Sequence, residues 1–232
     1  MSVSRQQQGK PHYHGHRDRL RQRLLDKGGE ALADYEILEF LLFAAKSRAD
    51  TKPLAKALLQ RFGSLSAVLA AEPATLGEVP GMGQASIAAL KIVPEAARRL
   101  AREQVMGQPV LSSWTKLLDY CRIALAHEKR ERFHLLFLDR QTRLIADETQ
   151  QSGTVDHTPV YPREVVRRAL ELGASGLIPV HNHPSGDPTP SKADVEMTRE
   201  IVAAGEKLGL AVHDHVVIGK SGETSFKAAG LL

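Results

Sequence analysis

Hydrophobic positions recur at helical spacing through roughly the first hundred residues, and then give way to apolar runs that alternate with amphipathic helices. From Arg17 to Leu100 the pattern is helical throughout. Asp34 reads as the cap of YEILEFLLFAA, in which Tyr35, Leu38, Leu41 and Leu42 share a face. DTKPLAKALLQRFG follows, with Gly63 as its C-terminal cap. SLSAVLAA and ATLGEVPGMGQASIAALKIVPEAARRL continue without a strand signal. GQPVLSS, with Gly107 and Pro109, reads as a linker. After Ser112 the character changes. SWTKLLDYCRIALA is a helix, and RFHLLFLD and TRLIADETQ suggest a hairpin. PREVVRRALELG has Pro at a first helical position and Gly at its end. SGLIPVHNH reads as a buried strand, SKADVEMTREIVAAGEKLG as a long amphipathic helix, AVHDHVVIG as a further strand, and SGETSF as a turn into a last short strand. The expected organisation is a disordered tail over 1–16, a small all-α domain over 17–106, a linker over 107–111 and an α/β domain over 112–232.

Composition narrows the function classes. The chain has 232 residues with 42% apolar and 25% charged residues, an ordinary globular balance. Its longest apolar run, Phe40 to Ala45, is far short of the ~20 residues of a membrane span. The N-terminus lacks the apolar stretch of a secretory signal, and Cys121 stands alone, so the expectation is a reducing cytoplasm. Cysteine-based zinc and iron–sulfur sites fail on the same count; a metal here must be held by His and carboxylate. The net charge of +4 is uneven: residues 1–107 carry 16 Lys+Arg against 11 Asp+Glu, the rest 15 against 16. Arg17, Arg19, Arg21 and Arg23 concentrate the excess, as a solvated helix face or as part of a nucleic-acid surface. His12, His14 and His16 alternate in the tail, a poor metal site without acidic partners.

The densest chemistry lies in HNHPSGDPTPSKAD, residues 181–194. His181 and His183 are two apart at the end of an apolar strand, so both imidazoles face one side. The chain breaks through Pro184, Gly186, Pro188 and Pro190 and restarts as a helix near Ser191, with Asp194 in the first turn. Two imidazoles and one carboxylate leave an open fourth position, as catalytic zinc sites do. Ser191-x-x-Asp194 is also a capping box, and the two readings are compatible. A second HxH, His213 and His215, is explained by packing beside the zinc strand, or by Asp214 orienting a metal-bound imidazole through its second nitrogen.

At these residues the sequence resembles the JAMM motif of the MPN+ metalloproteases, and HNHPSGDPTPS with YPREVVRRAL before it and DHVVIG after it is similar to the bacterial RadC family, long named for DNA repair. HRDRLRQRLLDKGGEALADYEILEFLLF extends the resemblance into the N-terminal half. It implies an MPN domain, a mixed β-sheet flanked by helices, behind a helix–hairpin–helix domain. It also implies one zinc held by His181, His183 and Asp194, with Ser191 donating to the oxyanion. A glutamate at the start of the first core strand would act as general base; Glu131 occupies that place, with Glu128 earlier than the strand and Glu164 in the PRE segment as alternatives. Asn182 departs from the small Ser or Thr of the deubiquitinating members, which leaves the substrate open. The contiguous HNH does not make a nuclease, since HNH nucleases are named for residues scattered through a ββα fold.

In the N-terminal half, LGEVPGMGQASIAAL fits a helix–hairpin–helix. Gly81 and Gly83 permit a tight turn and an approach of backbone N–H groups to a DNA phosphate, although the nearest lysine is as distant as Lys91. Two functions follow as expectations. One is a zinc-dependent hydrolase of peptide or isopeptide bonds; the other is a DNA-associated accessory protein whose metal site is not its main activity.

Overall fold

The computed structural model describes residues 15–47, 49–110, 112–152 and 160–232. The tail expected over 1–16 lies outside the described residues except for Gly15 and His16, and His16 opens the first helix. The chain divides into two compact units, Met1–Pro94 and Glu95–Leu232.

The first unit is helical: α1 (His16–Lys27), α2 (Asp34–Ala45), α3 (Lys52–Phe62), α4 (Leu65–Ala70), α5 (Pro73–Gly77) and the first half of α6 (Gln84–Val105). Leu38, Leu42, Ala55, Leu58, Val68, Leu76 and Leu90 form its core. Asp34 is the first residue of α2 rather than its cap. Ala33 holds the cap position, and its N–H donates to the Glu36 carboxylate (3.0 Å), which reaches back one turn. Two α2 carboxylates are buried, and α1 supplies their partners. Arg23 pairs with Glu36, and His16 Nε2 lies 3.1 Å from Glu39. Arg17 donates to the carbonyls of Lys46, Ser47 (2.6 Å) and Ala49 (2.7 Å) and stacks over Phe43, so it caps the C-terminus of α2. Part of the basic excess at the front of the chain is thus structural.

The second unit carries a mixed six-stranded sheet. Its elements after α6 are α7 (Trp114–Leu125), β1 (Arg132–Leu138), β2 (Leu144–Ser152), α8 (Pro162–Glu171), β3 (Gly176–Asn182), α9 (Lys192–Glu206), β4 (Ala211–Val212), β5 (Val216–Ile218) and β6 (Glu223–Ser225). The strand order is β2-β1-β3-β5-β6, with β4 also paired to β3. β1 runs antiparallel to β2 and β3, whereas β4 and β5 run parallel to β3 after the α9 crossover. Alternation along the strands sorts two cores. Leu136, Leu138, Ile178 and Val180 pack on α7, and Phe133, Leu135, Phe137 and Leu177 pack with residues of α8 and α9.

Two expectations change here. The linker proposed over 107–111 is hydrogen-bonded where it is described. Gly107 donates to Leu144 O (2.8 Å), Val110 to Thr142 O (2.9 Å), and Gln108 O accepts from Leu144 (3.2 Å). The division between the compact units falls in the sequence within α6, after Pro94, whose missing N–H removes a helical hydrogen bond. The single strand expected over AVHDHVVIG is split, because Asp214 turns inward between β4 and β5. Its carboxylate accepts from His215 N (2.8 Å), Lys227 N (2.9 Å) and Ser225 Oγ (2.5 Å).

On the α7 face, Asp147 is nearly buried and accepts from Tyr120 Oη and from His134 Nδ1 (3.0 Å). Burial opposes its ionisation, but the hydrogen bonds from His134 and Tyr120 prevail and hold its carboxyl below the usual carboxylate range. A depressed folded pKa gives stability that is present above the unfolded value of ~3.9 and lost as pH falls through the folded one. Asp147→Ala should therefore cost ~3 kcal/mol in urea unfolding at neutral pH, and the difference from wild type should shrink on acidification.

Candidate metal centre

β3 is buried along its whole length, and its period-two alternation aims His181 toward α9 and Asn182 toward the opposite face. His183 continues the strand by one residue, its N–H donating to Ile218 O (2.9 Å). The chain then turns through Pro184–Pro190 and re-enters as α9, whose N-cap is Ser191. Ser191 Oγ accepts from Asp194 N (3.2 Å), and Asp194 Oδ2 accepts from Ser191 N (2.7 Å). This reciprocal cap fixes the Asp194 carboxylate over the strand end.

The sequence thereby brings His181, His183 and Asp194 together. His181 Nε2 lies 3.1 Å from His183 Nε2 and 3.4 Å from Asp194 Oδ1, and His183 Nε2 lies 3.4 Å from Asp194 Oδ2. A tetrahedral ion with ligand distances of ~2.0–2.1 Å has edges of about 3.3–3.4 Å, close to the separations of the two Nε2 atoms from each other and from the nearer Asp194 oxygen of each. The donor set agrees. His183 Nδ1 donates to Asp187 O (2.9 Å), which leaves Nε2, the nitrogen facing the carboxylate, as the one available to an ion. Burial raises the cost of charge on Asp194, yet hydrogen bonds from His181 and His183 hold its carboxyl far below the usual range. His183 is shifted the opposite way, chiefly by its hydrogen bond to Asp194, with the Glu131 charge adding to it.

Glu131 sits one residue before β1, and the antiparallel register explains its influence on His183. Phe133 pairs with His181 and stacks on its ring at 6.0 Å. Extended by two residues, the same register sets Glu131 across from His183 and on the same face. The alternatives are engaged elsewhere. Glu164 pairs with Arg167 (3.0 Å) and Arg163 (3.3 Å), and Glu128 with Arg132 (3.1 Å).

Three further side chains, Asn182, His215 and Thr198, buttress this region. Asn182, 1% exposed, accepts from Arg132 N (2.9 Å) and donates to Glu128 O and Arg130 O (both 3.2 Å), which clamps the segment on either side of Glu131. His215 Nε2 meets His181 Nδ1 at 2.8 Å, and Thr198 Oγ1 meets His215 Nδ1 at 2.6 Å. It is therefore His215, not Asp214, that reaches a site imidazole. His213 packs against the bare Cα of Gly176, where a Cβ would fall 2.5 Å from its Nε2. Thr198 was detectable as a polar residue in the buried stripe Asp194, Thr198, Ile201, Gly205 of α9.

Gly81 and Gly83 lie in the turn between α5 and α6. Gly81 has φ +91°, a conformation that requires glycine, while a Cβ on Gly83 would meet open space. Lys91, the lysine nearest the hairpin, donates to Leu69 O (2.8 Å) and Ala71 O (3.2 Å), and Glu78 in the turn pairs with Arg61.

The second unit, with antiparallel and parallel strands around a His-His-Asp cluster, is a JAB/MPN domain. The profile of the RadC-like JAB domain matches residues 111–231, and the chain belongs to that family. The UPF0758 N-terminal profile matches residues 14–88. The chain is also similar to a UPF0758 protein of Rhodobacter capsulatus, 63% identical over 213 residues that span 92% of this chain and all of that relative. Among the described residues, no helix is long and apolar enough to cross a membrane.

The Asn182 clamp predicts a local effect. Asn182→Ala should release the Arg132 amide to rapid hydrogen exchange and cost ~2 kcal/mol of stability, while the His183 amide, held by Ile218, keeps its protection.

Proposed function

We propose that this protein is a zinc-dependent hydrolase of peptide or isopeptide bonds. The observation that carries the reading is the convergence of His181 Nε2, His183 Nε2 and the Asp194 carboxylate at tetrahedral spacing, beside Ser191 and with Glu131 in register. His181, His183 and Asp194 would hold the ion, and zinc in such a set supplies Lewis-acid activation of water and of a carbonyl oxygen.

The remaining work falls to this chain's own groups. Glu131 takes a proton from the attacking water and returns it to the leaving amine, a role that suits a carboxylate close enough to act on His183. Ser191 accepts through its oxygen from Asp194 N, so its hydroxyl hydrogen remains to be donated to the developing oxyanion. Asn182 keeps Glu131 in place by holding the backbone at Glu128, Arg130 and Arg132. The hydroxyl donor contributes ~3 kcal/mol to the transition state by analogy with other oxyanion donors.

Purified protein should carry about one zinc per chain, as expected of a single three-ligand site. His183→Ala and Asp194→Ala should each abolish binding by elemental analysis; full occupancy in the double variant His181→Ala/His183→Ala would refute the site.

Turnover is tested on a panel of peptide and isopeptide-linked substrates with and without chelator. Glu131→Gln should retain zinc and lose about 10²-fold or more in rate, as a general base commonly contributes. Glu164→Gln should remain active, since Glu164 is tied to Arg163 and Arg167. The reverse pattern would move the base to α8, and no chelator-sensitive cleavage on any substrate would remove the hydrolase reading.

A further inference from the structure

A histidine ligates through Nε2 only when its proton sits on Nδ1, and something must hold it there. For His183 the Asp187 carbonyl does so directly. For His181 the group facing Nδ1 is another imidazole, His215 Nε2, and that contact alone does not decide which nitrogen carries the proton.

The decision comes from farther along. Thr198 Oγ1 lies 2.5 Å from the Asp194 carbonyl oxygen and 2.6 Å from His215 Nδ1. A carbonyl only accepts, so the single hydroxyl hydrogen of Thr198 is directed to it. The hydroxyl oxygen must then accept from His215, which places a proton on His215 Nδ1. The His215 ring is fully buried, stacked on Phe226 at 4.4 Å and edge-on to Phe133 at 5.8 Å, surroundings that favour a neutral imidazole. A neutral ring protonated at Nδ1 has a bare Nε2, and this accepts from His181 Nδ1. Nε2 of His181, which faces His183 and Asp194, is left as the nitrogen available to an ion.

We propose that Thr198 and His215 are positioning residues that fix the Nδ1-protonated form of His181 through a one-way proton order starting at the backbone carbonyl of Asp194. The inference rests on the zinc reading above and deepens it: one prospective ligand, Asp194, governs the protonation of another, His181, through its own main chain. Outer hydrogen bonds of this kind commonly carry about 10–100-fold in metal affinity.

The test uses the full chain in two measurements. Long-range ¹⁵N–¹H correlation spectra of the metal-free protein read the protonated nitrogen of His181 and His215, and competition with a chromogenic chelator reads zinc affinity. Both rings should carry their proton on Nδ1 in the wild type. Thr198→Val, close in volume but without the hydroxyl, should scramble the His215 and His181 tautomers and weaken zinc binding by about 10–100-fold. Thr198→Ser should restore both. A wild-type His215 protonated at Nε2 overturns the proposal whatever the variants do. So does a folded Thr198→Val chain with an unchanged His181 spectrum and unchanged affinity. A wild-type chain that binds no zinc overturns the zinc reading, and the spectra of the metal-free chain then still decide the proton order.

Discussion

A strand buried on both faces can carry polar side chains only if each of their polar atoms finds a partner, because an unpaired buried group costs a sizeable part of a protein's net stability. β3 is such a strand, and its last two residues, His181 and Asn182, are polar and nearly inaccessible. Their alternation sends each to a different set of partners. Asn182 gives both N–H donors and its carbonyl oxygen to the backbone leading into β1. His181 spends one nitrogen on His215 and turns the other to His183 and Asp194. The demand for satisfaction at the end of one strand therefore fixes both the strand beside it and the helix after it.

The antiparallel β1–β3 register converts this local demand into a site. Because Phe133 stands opposite His181, the start of β1 lies beside the end of β3, where Glu131 and His183 fall together. Phe133 also packs against both His181 and His215, so the apolar contact that holds the register also excludes water from the rings. A one-residue slip would turn Glu131 to the other face. The hydrogen bonds of Asn182 to the residues flanking Glu131 oppose that slip.

Much of this is legible in the amino-acid sequence. The HxH spacing on an apolar strand and the Ser191-x-x-Asp194 box specify the three prospective ligands and the helix start, because period two and capping geometry are local rules. Glu131 was legible only through family resemblance, since its proximity to His183 depends on a pairing between distant segments. The basic front of the chain was the least legible. Charge alone does not distinguish an arginine facing a phosphate from Arg17, which caps α2, or Arg23, which pairs with Glu36. The His213–His215 pair packs beside β3 as its spacing suggests, but on two different residues of that strand. A continuous strand would have turned both rings the same way, but Asp214 breaks the strand and separates them, leaving His213 on Gly176 and His215 behind His181.

The helix cap and the candidate metal centre are built from the same atoms. A carboxylate that spent all its lone pairs on backbone donors would be well fixed but chemically idle. Asp194 accepts one backbone N–H, that of Ser191, through Oδ2, while Oδ1 faces His181 and Oδ2 also faces His183. One hydrogen bond orients the group, and the rest of its acceptor capacity points at the imidazoles. The α9 N-terminus places the positive end of a helix dipole beside this carboxylate, which favours its charged form in a site where burial opposes it. Ser191 divides its capacity in the same way, with its oxygen engaged in the cap and its hydrogen uncommitted. The first turn of α9 therefore supplies the carboxylate that completes the cluster at the end of β3. A substitution that spares all three prospective ligands but disrupts the cap loosens the carboxylate that faces both imidazoles.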